Sequence, residues 1–357
     1  MRITWLAAAA ALCCVGAAAC AGGQGQCKFR AVLSFGDSNS DTRGFWAAFP
    51  VQQAPFGMTY DFRQPAGRAS DGRLVIDFLG KHPNTVLFVT GTSPFFLGVQ
   101  LNQMKELRTK ALRSNGNNAQ LPAPDVLSNS LYTIDIGQND LTSNLGSQSI
   151  ETVKQSLPSF VSQITSTELY NIGARNIMVF NMAPIGCYPA FLTKLPHASN
   201  DMDGFGCMKT YSSAVTYYNE LLNTSLAEVR KKLQDASLVY ADKHAVILEL
   251  FGHPKAHGLK YGTKACCGYG DGVYNSNPDV YFLHIFIRMV THELKSQRYH
   301  IKKYGGSTVE AEVLNGQSAS AKACADPPNY ASWDGIHGTE AANKIIASSL
   351  MRGSGLV

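Results

Sequence analysis

The sequence predicts an α/β protein built on a mostly parallel sheet with helices covering both faces. Three observations point there. Short β-branched or aliphatic runs alternate with longer amphipathic stretches along most of the chain. A length of 357 residues at 45% hydrophobic content is sufficient for a large core in a single domain. Several of the apolar runs stop abruptly in polar turns, the pattern of strands ending at the rim where open parallel sheets place their chemistry.

The first segment is not part of that domain. Met1 and Arg2 precede an apolar run over 5–19 that ends in small residues around Cys20 and Ala21. This predicts a secretory signal peptide over 1–21 and a single domain over 28–351. A membrane anchor is the competing reading. The run is short for a bilayer span, however, and no other segment has the length and apolarity of one.

Strands are predicted over 31–35, 131–136, 176–180 and 238–241, where the apolar runs are short. Helices are predicted over 153–172, with Pro158 near the start, over 207–233, and over 339–351, where Thr339 supplies a cap ahead of Glu340. The turns that follow the first three strands are Gly36-Asp37-Ser38-Asn39, Gly137-Gln138-Asn139-Asp140 and Asn181-Met182-Ala183-Pro184.

Without the signal segment the chain keeps Cys27, Cys187, Cys207, Cys266, Cys267 and Cys324. In an exported protein they suggest disulfides. A zinc site is disfavoured because adjacent Cys266 and Cys267 lack the two-residue spacing that lets two thiolates share a metal. Asn223-Thr224-Ser225 is an N-glycosylation sequon. The formal charge of +5 is mostly local: Arg288, Lys295, Arg298, Lys302 and Lys303 face Glu293 alone over 281–306. The remainder is close to neutral, which gives no case for nucleic-acid binding.

A serine hydroxyl is a poor nucleophile at neutral pH; it needs a base to take its proton and a third group to orient that base. Asp334-Gly335-Ile336-His337 can supply both, with the carboxylate on one ring nitrogen and Ser38 on the other. An oxyanion would need preorganised donors. The candidates are the backbone N–H groups of Ser38 and Gly72 and the side-chain amide of Asn139. Each motif alone has an ordinary explanation: a plain loop at Ser38, a surface Asp near a capping His, a helix cap at Asn139.

Their order along the chain is more specific. Phe35 to Asp41, Gly67 to Arg73, Gly137 to Asp140, Asn181 to Cys187, Ala265 to Gly268 and Trp333 to His337 together resemble the GDSL-type lipases and esterases of the SGNH hydrolases. The likeness is nearest to the plant extracellular branch with its early-nodulin-like and fucosidase-described members. The resemblance implies a three-layer α/β/α, flavodoxin-like fold, no metal or other cofactor, and hydrolysis of small carboxylic esters through an acyl-enzyme. It assigns Ser38 as nucleophile, His337 as base and then acid, Asp334 as orienter, and Ser38, Gly72 and Asn139 as the oxyanion hole. No Gly-Xaa-Ser-Xaa-Gly occurs, so the α/β-hydrolase elbow does not compete.

Two departures from the pattern bear on activity. Relatives continue for roughly forty residues where this chain passes from Gly80 towards Val86, an apparent deletion near 80–86. The stretch over 281–306 is an atypical insertion, apolar and then basic, where relatives commonly carry a cysteine. It reads as a packed helix or an insertion, with a membrane-surface helix as the minor alternative, and the missing cysteine would leave another unpaired. These departures give the alternative of a catalytically impaired relative; a glycosidase is the less favoured reading. Asp37 and Asp41 are expected to stabilise turns, His253 and His257 to lie in a surface loop, and Tyr211, Tyr217 and Tyr218 to pack a helix.

Overall fold

A computed structural model describes residues 29–44, 52, 54–59, 64–79, 86–90, 96–268, 272–276, 312–314, 317–319 and 322–352. The expected signal peptide, Cys27, the insertion over 281–306 and all of the apparent deletion near 80–86 except Val86 lie outside these residues.

Five strands form the central sheet: β1 (Ala31–Gly36), β2 (Val86–Thr90), β3 (Leu131–Asp135), β4 (Asn176–Phe180) and β5 (Ser237–Ala241). Their spatial order is β2-β1-β3-β4-β5 and every pairing is parallel. All six residues of β1 and all five of β3 are buried, as strands covered on both faces require.

The order dictates the layers. Moving from β1 to β2 runs one way along the sheet, and moving from β2 to β3, β4 and β5 runs the other. Right-handed crossovers therefore place α1 (Val75–Leu79) on one face. The opposite face receives α2 (Leu97–Ser114), α3 (Gln138–Thr142), α4 (Ile150–Ile164) and α5 (Lys209–Lys232), of which α4 packs along α5. After β5 the chain returns to the α1 side with α6 (Lys243–Gly252) and α7 (Glu340–Met351), and α7 packs on both α1 and α6. The result is a three-layer α/β/α fold with the flavodoxin-like strand order.

The expected helix over 153–172 is two pieces. Ser149 caps α4 by accepting from the Thr152 N–H at 3.2 Å, which puts Pro158 in mid-helix rather than near its start. The helix stops at Ile164, and a short turn of helix follows at Glu168–Asn171. The expected helix over 207–233 begins at Lys209, because Cys207 is tied by a disulfide to Cys187. Cys266 is joined to Cys324, whereas Cys267 is a buried free thiol. The expectation that a cysteine missing from 281–306 would leave another unpaired turns on residues outside the described ones. Asn223 lies within α5, half-buried, rather than in a surface loop. No helix among the described residues is long and apolar enough to cross a membrane.

Candidate active site

The turn that presents Ser38 is prepared by the end of β1. Gly36 must be glycine: a Cβ there would lie 2.7 Å from the Asp135 carbonyl oxygen. The buried Gln100 side chain accepts from the Gly36 N–H and donates to its carbonyl, each at 2.9 Å. The Asp37 N–H then donates to the Asp135 carbonyl at 3.1 Å, carrying the ladder one residue past the strand. Asp37 Oδ1 accepts from the Asn39 N–H at 3.0 Å and Ser40 N–H donates to the Asp37 carbonyl at 2.9 Å, closing the turn that presents Ser38. Asp41 likewise accepts from the Arg43 N–H at 2.9 Å. Both carboxylates thus stabilise turns, as expected.

His337 arrives from a distant part of the chain. A short strand β7 (Tyr330–Ser332) pairs with β6 (Tyr261–Ala265), if strands beyond the central sheet are numbered onward, and leads into Trp333, which is buried and meets Phe56 edge-on. Asp334 Oδ1 accepts from the N–H groups of Ile336 at 3.0 Å and His337 at 2.8 Å. This frees Asp334 Oδ2 to meet His337 Nδ1 at 2.7 Å. Gly335 takes φ = +96°, a conformation that lets the loop turn back within three residues. His337 Nε2 lies 2.7 Å from Ser38 Oγ. One hydrogen-bonded chain therefore joins three residues whose ends are separated by 299 positions in sequence.

The electrostatics suit that chain. Burial alone would push the Asp334 carboxyl up, but the His337 charge and its hydrogen bonds hold it below the ordinary range. Burial would depress His337; the Asp334 charge, the Asp334 hydrogen bond and the Asp37 charge reverse this and raise its pKa. Asp37 is pushed up to about 6, first by burial and then by the Asp135 charge, against the opposing charge of Lys243. Its Oδ2 has no hydrogen-bond partner among the described residues.

Lys243 and Asp135 were not legible as site residues. They form a buried ion pair below the nucleophile turn, at the ends of β3 and β5. With Asn39, Asn343, Ile247 and Ile346 they bound a small cavity that reaches the back of His337.

Gly72 and Asn139 belong to neighbouring turns rather than to the hydrogen-bonded chain. Gly72 is buried just before α1, its N–H 3.4 Å from Ser70 Oγ. Asn139 is exposed in the first turn of α3, beyond Gly137 at φ = +107°. His253 and His257 flank Glu249 at the surface, at 3.0 and 4.0 Å, and no group of three or more metal-ligating side chains occurs among the described residues. Tyr211 and Tyr218 are buried along α5, with Tyr217 exposed.

A family model described as GDSL-like Lipase/Acylhydrolase matches residues 32–350. The chain belongs to this family. It is a carboxylic ester hydrolase of the GDSL type. A GDSL esterase/lipase of Arabidopsis thaliana is 45% identical over 370 residues, covering 93% of this chain and 90% of the relative. An Arabidopsis thaliana protein named alpha-L-fucosidase 3 is 32% identical, covering 92% and 91%. The GDSL esterase/lipase ENOD8 of Medicago truncatula is also 32% identical, covering 92% and 87%. Among solved structures, an extracellular lipase from Streptomyces rimosus aligns with a TM-score of 0.34 and 16% identity over 69% of this chain and 90% of that one, too slight a likeness to bear on the site.

Proposed function

We propose that this GDSL hydrolase is a secreted serine esterase that cleaves small acyl, acetyl or lipid esters through an acyl-enzyme on Ser38. The observation that carries this reading is the chain of two 2.7 Å contacts from Ser38 through His337 to Asp334. Ser38 Oγ attacks the ester carbonyl carbon while its proton passes to His337 Nε2. The Ser38 and Gly72 N–H groups and the Asn139 amide hold the oxyanion. Collapse breaks the bond to the alcohol, which leaves with the proton from His337. Water then gives a proton to the same nitrogen and attacks the acyl carbon, releasing the carboxylic acid and restoring the serine hydroxyl.

Secretion is supported by the composition of residues 1–21 and by the Cys187–Cys207 and Cys266–Cys324 disulfides. An N-glycan on Asn223 belongs to the same reading.

The test is hydrolysis of a short-chain nitrophenyl ester with covalent labelling by a fluorophosphonate. Ser38→Ala is expected to abolish labelling and to lower kcat by about 10⁴-fold or more. Unchanged turnover in Ser38→Ala would sink the mechanism. Cooperatively folded parent protein that takes up no fluorophosphonate would instead favour an impaired relative. The fucosidase-named relative raises glycoside cleavage, which needs two carboxylates flanking the bond. Asp37 and Asp41 engage turn amides instead, and activity on an aryl fucoside that survives Ser38→Ala would be required to revive that reading.

A further inference from the structure

The turn that carries Gly72 and the loop that carries His337 are held to each other by a dense set of hydrogen bonds. Asp71 Oδ1 accepts from the Glu340 N–H at 2.7 Å, so a buried carboxylate caps the start of α7 from another segment. Glu340 Oε2 accepts from the Arg73 N–H at 3.1 Å and lies 3.1 Å from Thr59 Oγ1. Its Oε1 accepts from Arg73 Nε at 2.9 Å and also from the Arg73 Nη2 group. Asn343 Nδ2 donates to the Arg73 carbonyl at 2.9 Å, and Ser70 Oγ to the Gly338 carbonyl at 2.8 Å.

Two of these details go beyond a structural ion pair. A guanidinium–carboxylate pair would be complete at the Arg73 side chain, yet Glu340 also grips the main-chain N–H immediately after Gly72. On the other side, the Asp71 carbonyl accepts from Thr59 twice, from its N–H at 2.8 Å and its Oγ1 at 2.9 Å. The Asp71 carbonyl and the Gly72 N–H share one rigid trans peptide plane and point in opposite directions. Fixing the carbonyl towards Thr59 fixes the N–H away from it. The N–H has a contact of 3.4 Å to Ser70 Oγ, at the long limit for a hydrogen bond, and so retains most of its capacity as a donor. A Cβ at position 72 would lie 1.9 Å from Glu340 Oε2 and 2.3 Å from Thr59 Oγ1, so only glycine admits this grip.

We infer that Glu340 and Thr59 are positioning residues for the ester hydrolase: Thr59 holds the 71–72 peptide plane that carries the Gly72 N–H and Glu340 holds the 72–73 plane that follows it, so that the N–H is kept as an oxyanion donor in register with His337, three residues ahead of Glu340. The inference rests on the oxyanion role proposed for Gly72. Neither side chain touches substrate; each acts through the main chain of residues 71–73.

The experiment compares Glu340→Ala, Glu340→Gln and Thr59→Val in the full-length secreted protein. Rates are expressed per active site, counted from the end-point of fluorophosphonate titration so that unfolded protein drops out. In Glu340→Ala, kcat on a short-chain nitrophenyl ester is expected to fall by about 10²-fold, the effect of a lost oxyanion donor. KM and the midpoint of the acid limb of the pH profile should stay in place. Glu340→Gln keeps an oxygen for the Arg73 N–H and should recover at least half of that loss on a logarithmic scale. Thr59→Val, close to isosteric, should lower kcat about tenfold and remains informative if Glu340→Ala does not fold. Site-normalised kcat within threefold of the parent in both Glu340→Gln and Thr59→Val, with Glu340→Ala either equally active or unfolded, would overturn the inference. A shifted pH midpoint would also overturn it, because the action would then run through His337. Failure of the underlying serine mechanism is distinguishable: it appears as an unlabelled parent or an active Ser38→Ala.

Discussion

Asp37 stands next to the nucleophile and yet faces inward, and its raised pKa has two measurable consequences. Its ordinary value is 3.8 and its folded value about 6, so ionising it in the native state is unfavourable and stability falls as pH rises from about 3.8 towards 6. Asp37→Asn should flatten that decline, read as urea midpoints at pH 4 and pH 7. Asp37 is also one of the charges that raise His337. The base must be neutral to accept the Ser38 proton, so kcat/KM should rise through an acid limb whose midpoint lies above the ordinary histidine value of 6.5. Asp37→Asn should move that midpoint to lower pH; an unmoved midpoint would contradict the coupling. The triad works in opposite directions on stability. His337, raised, stabilises most below about pH 6.5 and loses this as pH rises through its folded value. Asp334, lowered, stabilises above its ordinary 3.8 and loses this as pH falls through its folded value.

Residues 38, 334 and 337 could be read from sequence because each sits in a short turn whose neighbours are chemically restrictive, a glycine after a strand or an Asp three residues before a His. Lys243 could not. It opens α6 as lysines open many surface helices, and its buried partner Asp135 lies 108 positions away. Only the parallel sheet makes them neighbours. Lys243→Met should cost about 3–5 kcal/mol, since it leaves a buried carboxylate unpaired; chemical denaturation measures it, and a loss below 1 kcal/mol would show that Asp135 finds water.

At the scale of elements, β1, β3, β4 and β5 were legible because buried parallel strands are short and almost wholly apolar. Their observed ends fall within a residue or so of the expected ones. Helices were harder. The 18-residue α2 buries the polar Gln100 beside Leu101, Met104 and Ala111, so its inner face is not wholly apolar in sequence. It nevertheless supplies the Gln100 side chain that fixes Gly36. Disulfide pairing was equally hidden, because it depends on which loops meet. The Cys187–Cys207 link ties the turn after β4 to the start of α5, closing a loop of 20 residues. Replacing both cysteines with alanine should cost about 3 kcal/mol. A calorimetric melting temperature unchanged from the parent would show that packing of Ile185 and Met208, both buried, suffices.

For the whole molecule, the strand order β2-β1-β3-β4-β5 explains why Ser38, just after the first strand, can meet His337 from a loop after the last. β1 is an interior strand, its carboxyl end opens on the rim, and α7 returns to the same side as α1. Sequence reading reached a parallel sheet covered on both faces from the alternation of runs, and the three-layer flavodoxin-like class through the resemblance, but not the clasp between residues 70–73 and 338–343, whose partners are polar residues of ordinary spacing.

The 299 positions between Ser38 and His337 also order events in time. Synthesis delivers Ser38 first and His337 only after every strand of the central sheet has been made. Until then the chain carries the Ser38 hydroxyl without the imidazole that lies 2.7 Å from it, and so does any product truncated before position 337. If Ser38 acts as proposed, hydrolysis waits for His337, and the growing polypeptide stays inert towards esters until that residue has been made.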